Sequence, residues 1–280
     1  MIVRTFDASG ESRVMIQEKH VDADGRVTFE RIFDEEGHSD REYAYDQNGN
    51  LTEVIERGEE GETYRKTFAH HPNGSLATET LWIGGQPYRR IEHATNGDTE
   101  TTTTYEGDHE LERREATHKD GKTLRVDYFE EGVLAESQLY SYPAPNTVDM
   151  EVLEGDGQPF GRRLTTHNEE GDLLTLRRWQ EGSLMESVEQ TFNDQGLLLR
   201  QVVGEYNNGI TEYTLDYKYD AHGNLTEREW REQSSGQLIG FEHNRYDDQH
   251  RLVETVGKMH SVALGGTAGG EQHLVYGYEE

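Results

Sequence analysis

The sequence predicts an all-β protein: tandem antiparallel β-hairpin repeats of about 25 residues forming one long, twisted, curled sheet, an open solenoid or partial shell. A Tyr-Asp and glycine motif returns at a near-fixed interval, a second set of glycines falls midway between its copies, and side-chain polarity alternates between the turns.

The repeat is plainest where Tyr45-Asp46-Gln47-Asn48-Gly49-Asn50-Leu51-Thr52 returns as Tyr219-Asp220-Ala221-His222-Gly223-Asn224-Leu225-Thr226. The ring position four before the turn glycine reads Tyr45, His70, His93, Thr117, Tyr142, His167, Phe192, Tyr219, Tyr246, in steps of 25, 23, 24, 25, 25, 25, 27 and 27. The turn position reads Gly49, Gly74, Gly97, Gly121, Asn146, Gly171, Gly196, Gly223, His250. Mostly glycine, with asparagine and histidine as deviants, is what a backbone needing positive φ selects. A second set of turn glycines near Gly61, Gly85, Gly107, Gly132, Gly157, Gly182, Gly209 and Gly236 makes each repeat one hairpin. Phe6-Asp7, Val21-Asp22 and Phe33-Asp34 read as three further copies towards the amino end, at steps of 15, 12 and 12.

Strands are expected between these turns because apolar and polar residues alternate, as in Tyr213, Leu215, Tyr217 against Thr214, Asp216, Lys218. Glycine turns about every 12 residues leave almost no room for a helix. A second register, Trp82, Tyr105, Phe129 and Trp179 with Trp230 one residue early, predicts a line of aromatic rings across the sheet. The array covers residues 1–260, a glycine-rich linker 261–270, and a terminal strand 271–280 that could cover a sheet edge. About 18 to 20 strands at roughly 4.8 Å would span some 90 Å. A sheet so wide curls under its own twist and presents a concave face.

Hydrophobic residues make up 32% of the 280-residue chain, under the roughly 45–50% common in globular proteins, so a thick core is not expected. Its tyrosines, phenylalanines and tryptophans, with only 5 prolines, argue for folding over disorder. The net charge of −29, from 56 acidic and 27 basic residues, disfavours nucleic acid and anionic membranes and suits a basic protein partner. Solubility or a high-salt habitat would account for the same acidity. The chain has no cysteine, so thiolate chemistry and Cys-ligated zinc are absent. Without an apolar leader or a run of about 18 apolar residues, a cytoplasmic location is the default, with secretion or surface display left open.

In the Tyr-Asp, two variable residues, Gly, one variable residue, Leu pattern at Tyr45 and Tyr219, the chain resembles the YD repeats of Rhs-family and wall-associated bacterial proteins. That resemblance implies a long antiparallel sheet able to coil around a toxin domain. The chain departs from the large toxins in having no Asp-Pro-x-Gly-Leu motif and no toxin-like carboxyl end. Short acidic antitoxin or immunity proteins offer a looser likeness.

The sequence carries no catalytic or cofactor motif, and none is expected to act. The Asp22 and Asp46 loops lack the glycine and glutamate spacing of a calcium loop, and His70, His93 and His167 occupy the ring slot, so no metal is assigned. Glu242, His243, Asp247, Asp248 and His250 are the nearest approach to a mixed ligand cluster. Paired carboxylates for glycoside hydrolysis leave no sequence signature. The expectation is a non-enzymatic protein-binding repeat protein, an immunity or antitoxin-type inhibitor of a basic bacterial toxin. The alternatives are a shell that encapsulates or displays a partner, and a carbohydrate-binding protein using Trp82, Trp179 or Trp230.

Overall fold

The computed structural model describes residues 1–7, 14–34, 37–206, 211–259 and 271–279, and the regular structure among them is entirely β. The 22 strands are β1 (Ile2–Asp7), β2 (Val14–Val21), β3 (Val27–Asp34), β4 (Gly37–Tyr45), β5 (Leu51–Gly58), β6 (Gly61–His70), β7 (Leu76–Ile83), β8 (Gln86–Asn96), β9 (Thr99–Glu106), β10 (His109–Lys119), β11 (Lys122–Glu130), β12 (Val133–Ser141), β13 (Thr147–Glu154), β14 (Pro159–His167), β15 (Leu173–Gln180), β16 (Ser183–Phe192), β17 (Leu198–Glu205), β18 (Thr211–Tyr219), β19 (Leu225–Glu232), β20 (Leu238–Tyr246), β21 (Leu252–Met259) and β22 (Glu271–Glu279). The proposed linker 261–270 lies outside the described residues.

Each strand pairs antiparallel with the next, and β22 then pairs with β1 from Ile2↔Glu279 to Asp7↔Leu274. The molecule is therefore a closed up-and-down barrel, which corrects the expectation of an open solenoid or partial shell. Closure has two local causes. An even number of meandering strands makes the first and last antiparallel, so their edges can pair. Bulges recur at both ends of the strands, and a bulge bends its strand and raises local twist. One set falls at the ring slot, as at Ala44/Tyr45, Thr166/His167 and Lys218/Tyr219. The other falls at the second aromatic register, as at Leu81/Trp82, Tyr128/Phe129 and Arg178/Trp179.

The turns alternate between two rims. The rim carrying the β2–β3, β4–β5 and later even-to-odd turns holds the Tyr-Asp copies, and all nine turn positions have positive φ, including Asn146 (φ 56) and His250 (φ 61). Val21-Asp22 belongs to this rim, whereas Phe33-Asp34 ends β3 at the opposite rim. The short steps near the amino end thus mix both rims, because about 12 residues is one strand and a turn.

Followed round the ring by register, buried Thr5, Glu30, Val54, Thr104, Ala116, Val126, Thr165, Val188, Val203 and Leu215 share one face. Thr103, Ser137, Gly204 and Thr214 lie on the other, and Ile239 is the extra residue of a bulge. Closing a sheet converges side chains on its concave side, so the more buried face is the interior. Barrels of 16 or more strands are too wide for side chains to fill, and most inward residues here stay partly exposed. The largest cluster, Val188, Val203 and Leu215 with Leu176, Tyr213, Tyr217 and Trp230, is a patch on β15–β19 and no more.

Candidate functional site

The Tyr-Asp dipeptide builds the first rim. Asp220 Oδ1 accepts from the backbone N–H groups of His222 (2.8 Å) and Asn224 (3.0 Å), and Oδ2 accepts from the Asn224 side chain (2.9 Å). Asp46 repeats this with Asn48 and Asn50, and Asp22 and Asp247 recruit Arg26 and Arg251 instead. All four carboxyls are held below the usual aspartate range by these bonds: Asn224 and Asn50 side chains lead for Asp220 and Asp46, the Arg26 and Arg251 backbones for Asp22 and Asp247. Their oxygens are thus engaged by their own turns, as the turn reading of Asp22 and Asp46 expects.

The tyrosine reaches backwards. Tyr45, Tyr142, Tyr219 and Tyr246 each donate a hydroxyl hydrogen bond to the carbonyl two residues past the preceding turn position: Val27, Thr123, Leu198 and Leu225, at 2.8–3.1 Å. Four pairs of neighbouring turns are thereby tied together.

The turns of this first rim also hold Asp24, Asp98, Asp120, Glu169, Glu170, Asp194 and Asp248, with Arg26 and Arg251 among them. The opposite rim is likewise acidic. Its described turns carry Glu59, Glu60, Asp108, Glu131, Asp156 and Glu181, flanked by strand-end Asp34, Glu106, Glu130, Glu154, Glu205 and Glu232. Neither lysine nor arginine occurs in any of those turns. A pocket of about 560 Å³ opens there between Asp34, His38, Glu59, Glu60 and Glu62. Basic residues stand instead within the strands, where they pair across neighbours: Arg4–Glu18 at 2.6 Å, Arg41–Glu56 at 2.5 Å, Arg162–Asp149 at 2.7 Å, Arg228–Glu242 at 2.8 Å. The negative charge left over is concentrated where the chain turns.

Trp82, Trp179 and Trp230 stand on β7, β15 and β19, not on adjoining strands, and Trp230 faces the interior while the other two face outward. They form no common groove. Arginine, not another ring, is the cross-strand neighbour of the outward aromatic register: Arg65 opposes Trp82, Arg90 Tyr105, Arg113 Phe129 and Arg162 Trp179. The Arg113 guanidinium lies 3.9 Å from the Phe129 ring centre and Arg162 lies 5.5 Å from Trp179. The expected line of rings is therefore an alternation of rings and cations, for the rings recur only on every second strand. Beside Trp179, a cleft of about 410 Å³ includes Glu151, Phe160 and Arg162. A pocket of about 760 Å³ lies at the Tyr-Asp rim beside Tyr142-Pro-Ala-Pro-Asn146, where the repeat loses its turn glycine.

The remaining cluster from the sequence does not assemble. Glu242 faces inward to Arg228, His243 faces outward, Asp247 is held by its turn, and the His250 ring packs tilted against His222 with ring centres 4.0 Å apart. Among the described residues, no three His, Asp or Glu side chains are placed to hold a metal ion. No helix is long and apolar enough to cross a membrane, a statement that does not bear on membrane β-barrels.

The fold and its rims define a wide antiparallel β-barrel with acidic turns at both rims, one rim carrying the Tyr-Asp hydrogen bonds and the other free of lysine and arginine in its described turns. No protein-family model and no curated protein matches the sequence. Among solved structures, the TcdB2-TccC3 complex aligns with 95% of this chain at 13% identity and a TM-score of 0.45, the chain spanning 19% of that one. A porin-like protein from Bacteroides uniformis aligns with 99% of the chain, over 97% of its own length, at 11% identity and a TM-score of 0.37. The Photorhabdus luminescens Tc holotoxin pore aligns with 88% at 8% identity and a TM-score of 0.24. At these scores the likenesses assign neither family nor function.

Proposed function

We propose that this chain is a non-enzymatic binding protein that receives a basic protein partner at its base-free rim, as an inhibitor or immunity-type partner of a basic bacterial toxin would. The observation that carries the reading is a rim whose described turns hold carboxylates and not one lysine or arginine. Such a rim focuses a negative field at the barrel mouth and steers a cationic partner towards it. The Tyr-Asp turn, with its own capping carboxylate and backward-reaching hydroxyl, supports reading the array as a YD-type repeat.

Charged pairs stud the strands on the outward face, among them Arg31–Asp40 and Arg245–Glu254. A lipid-facing barrel needs an outward apolar band about 25 Å tall, so the reading places this barrel in water. The test is to capture the partner from native lysate and titrate the purified complex with salt. Affinity should fall steeply with ionic strength and with the triple change Glu59→Lys, Glu60→Lys, Glu131→Lys. Affinity indifferent to both would sink the proposal. The closed wall around an unfilled interior favours a second reading, a shell that holds its partner inside; a bound partner protected from protease until the barrel is unfolded would favour it over rim docking.

A further inference from the structure

Acids outnumber bases two to one in this chain, yet Arg114, Lys119, Lys122, Arg163 and Arg177 have no carboxylate partner among the described residues. All five stand on β10–β15. A protein so rich in carboxylates leaves five cations unneutralised in one panel of its wall, Arg114 and Arg163 facing the interior, Arg177 outward and Lys119 and Lys122 at the Tyr-Asp rim, and the interior side of that panel has a pocket.

That pocket, about 230 Å³, is lined by Glu136, Gln138, Met150, Val152, Arg163 and Arg178, among others. Gly161 stands directly opposite Val152, whose side chain lies within contact distance of where a Cβ on Gly161 would sit. Arg163 stands directly across from Arg178. Like charges so placed repel, and only Arg178 has a carboxylate, Glu186 at 3.1 Å. Glu136 and Gln138 are engaged within their own strand: Gln138 Nε2 donates to Glu136 (2.9 Å) and Tyr140 donates to Gln138 Oε1 (2.7 Å). Burial raises the Tyr140 pKa, and Arg114 and Arg163, from two strands away on either side, both oppose that rise.

We propose that the β12–β15 pocket on the barrel's interior face binds a small organic anion, its charged head between Arg163 and Arg178 and its apolar body on Met150 and Val152. The chemistry is that of a carboxylate or phosphate monoester with a compact apolar group. An anion would relieve the Arg163–Arg178 repulsion, and the guanidinium forks suit its planar or tetrahedral oxygens. The site is separate from the base-free rim and holds or fails independently of it.

Phenyl phosphate, benzoate, inorganic phosphate and benzyl alcohol serve as probes, followed by calorimetry and by the fluorescence of the nearby Trp179. Phenyl phosphate or benzoate should bind at least tenfold tighter than inorganic phosphate, and benzyl alcohol should not bind. Arg163→Gln should weaken binding at least tenfold while leaving thermal unfolding in place, since its side chain is exposed; Arg163→Lys should recover part of the loss. Binding unchanged in Arg163→Gln, equal binding of benzyl alcohol, or no binding by either organic anion would overturn the proposal.

Discussion

The hydroxyl of Tyr219 donates a 2.9 Å hydrogen bond to the carbonyl of Leu198, 21 residues back, and so ties its own turn to the one before it. Phe192 fills the same slot in the neighbouring repeat, so a ring without a hydroxyl fits there. Tyr219→Phe therefore isolates the hydrogen bond and should cost about 1 kcal/mol. Tyr45→Phe, on a distant part of the ring, should add independently. Urea midpoints of the two single variants and the double variant give the measurement, and no loss in either single variant would remove the bond from any structural role.

The turn aspartates make stability sensitive to acid. Folded-state pKa values of Asp22, Asp46, Asp220 and Asp247 are lowered, so the stability they contribute is present above the unfolded aspartate value of about 3.9 and is lost as pH falls through the lowered folded values. Asn168 and Asn193 hold the same slot elsewhere and accept the same backbone N–H bonds through Oδ1. Asp220→Asn should consequently unfold near the wild-type midpoint at neutral pH and show a shallower loss in acid. Identical acid profiles for the two proteins would remove Asp220 from the linkage.

The repeat was legible in the sequence because its turns need positive φ, and Gly49, Gly223 and even Asn146 advertise that need residue by residue. Closure was not legible: it depends on Ile2–Asp7 meeting Leu274–Glu279, two segments at opposite ends of the chain with no motif in common, and on the bend summed over every bulge. The ladder of rings failed for a related reason. Trp82 and Tyr105 share a register along the sequence but stand two strands apart, and the intervening strand brings Arg90 opposite Tyr105. The base-free rim was hidden in a net charge that gave no position; once strands and turns are placed, Glu59, Glu131 and Glu181 fall at one rim and Arg26 and Arg251 fall in turns of the other.

Glu30 is buried inside the barrel yet fully engaged, accepting from Gln17 (2.7 Å) and Tyr43 (2.9 Å) and pairing with Lys19 at 3.2 Å. Burial, and then Glu30, push the Tyr43 hydroxyl up to about 12. Burial likewise raises Tyr64, Tyr213 and Tyr217. Stability from these neutral phenols is full below the unfolded value of about 10 and is lost as pH rises through the folded values, so the barrel should unfold in strong alkali with tyrosinate absorbance appearing late and cooperatively. Glu30→Gln should let Tyr43 ionise at lower pH and cost about 1–3 kcal/mol. Simple, independent tyrosine titration near pH 10 would contradict this account of the interior.

Closure itself can be tested with a single covalent bond. Thr5 and Tyr276 face each other across the β1–β22 seam, while in an unclosed sheet the remaining strands would separate them. The chain has no cysteine, so Thr5→Cys with Tyr276→Cys introduces the only pair. Directly opposed residues in an antiparallel ladder have Cα atoms about 4.5–5.5 Å apart, within the range a disulfide spans. Mild oxidation should link the monomer internally and raise its unfolding midpoint. Deleting the chain after Met259 should do the reverse: β1 and β21 become bare edges, and exposed edges pair between molecules. Light scattering should then show the truncated chain associating at concentrations where the intact barrel stays dispersed. A doubly substituted chain that cross-links only between molecules, or a truncated chain that stays dispersed with an unchanged midpoint, would mean the seam between β1 and β22 does not hold the barrel shut.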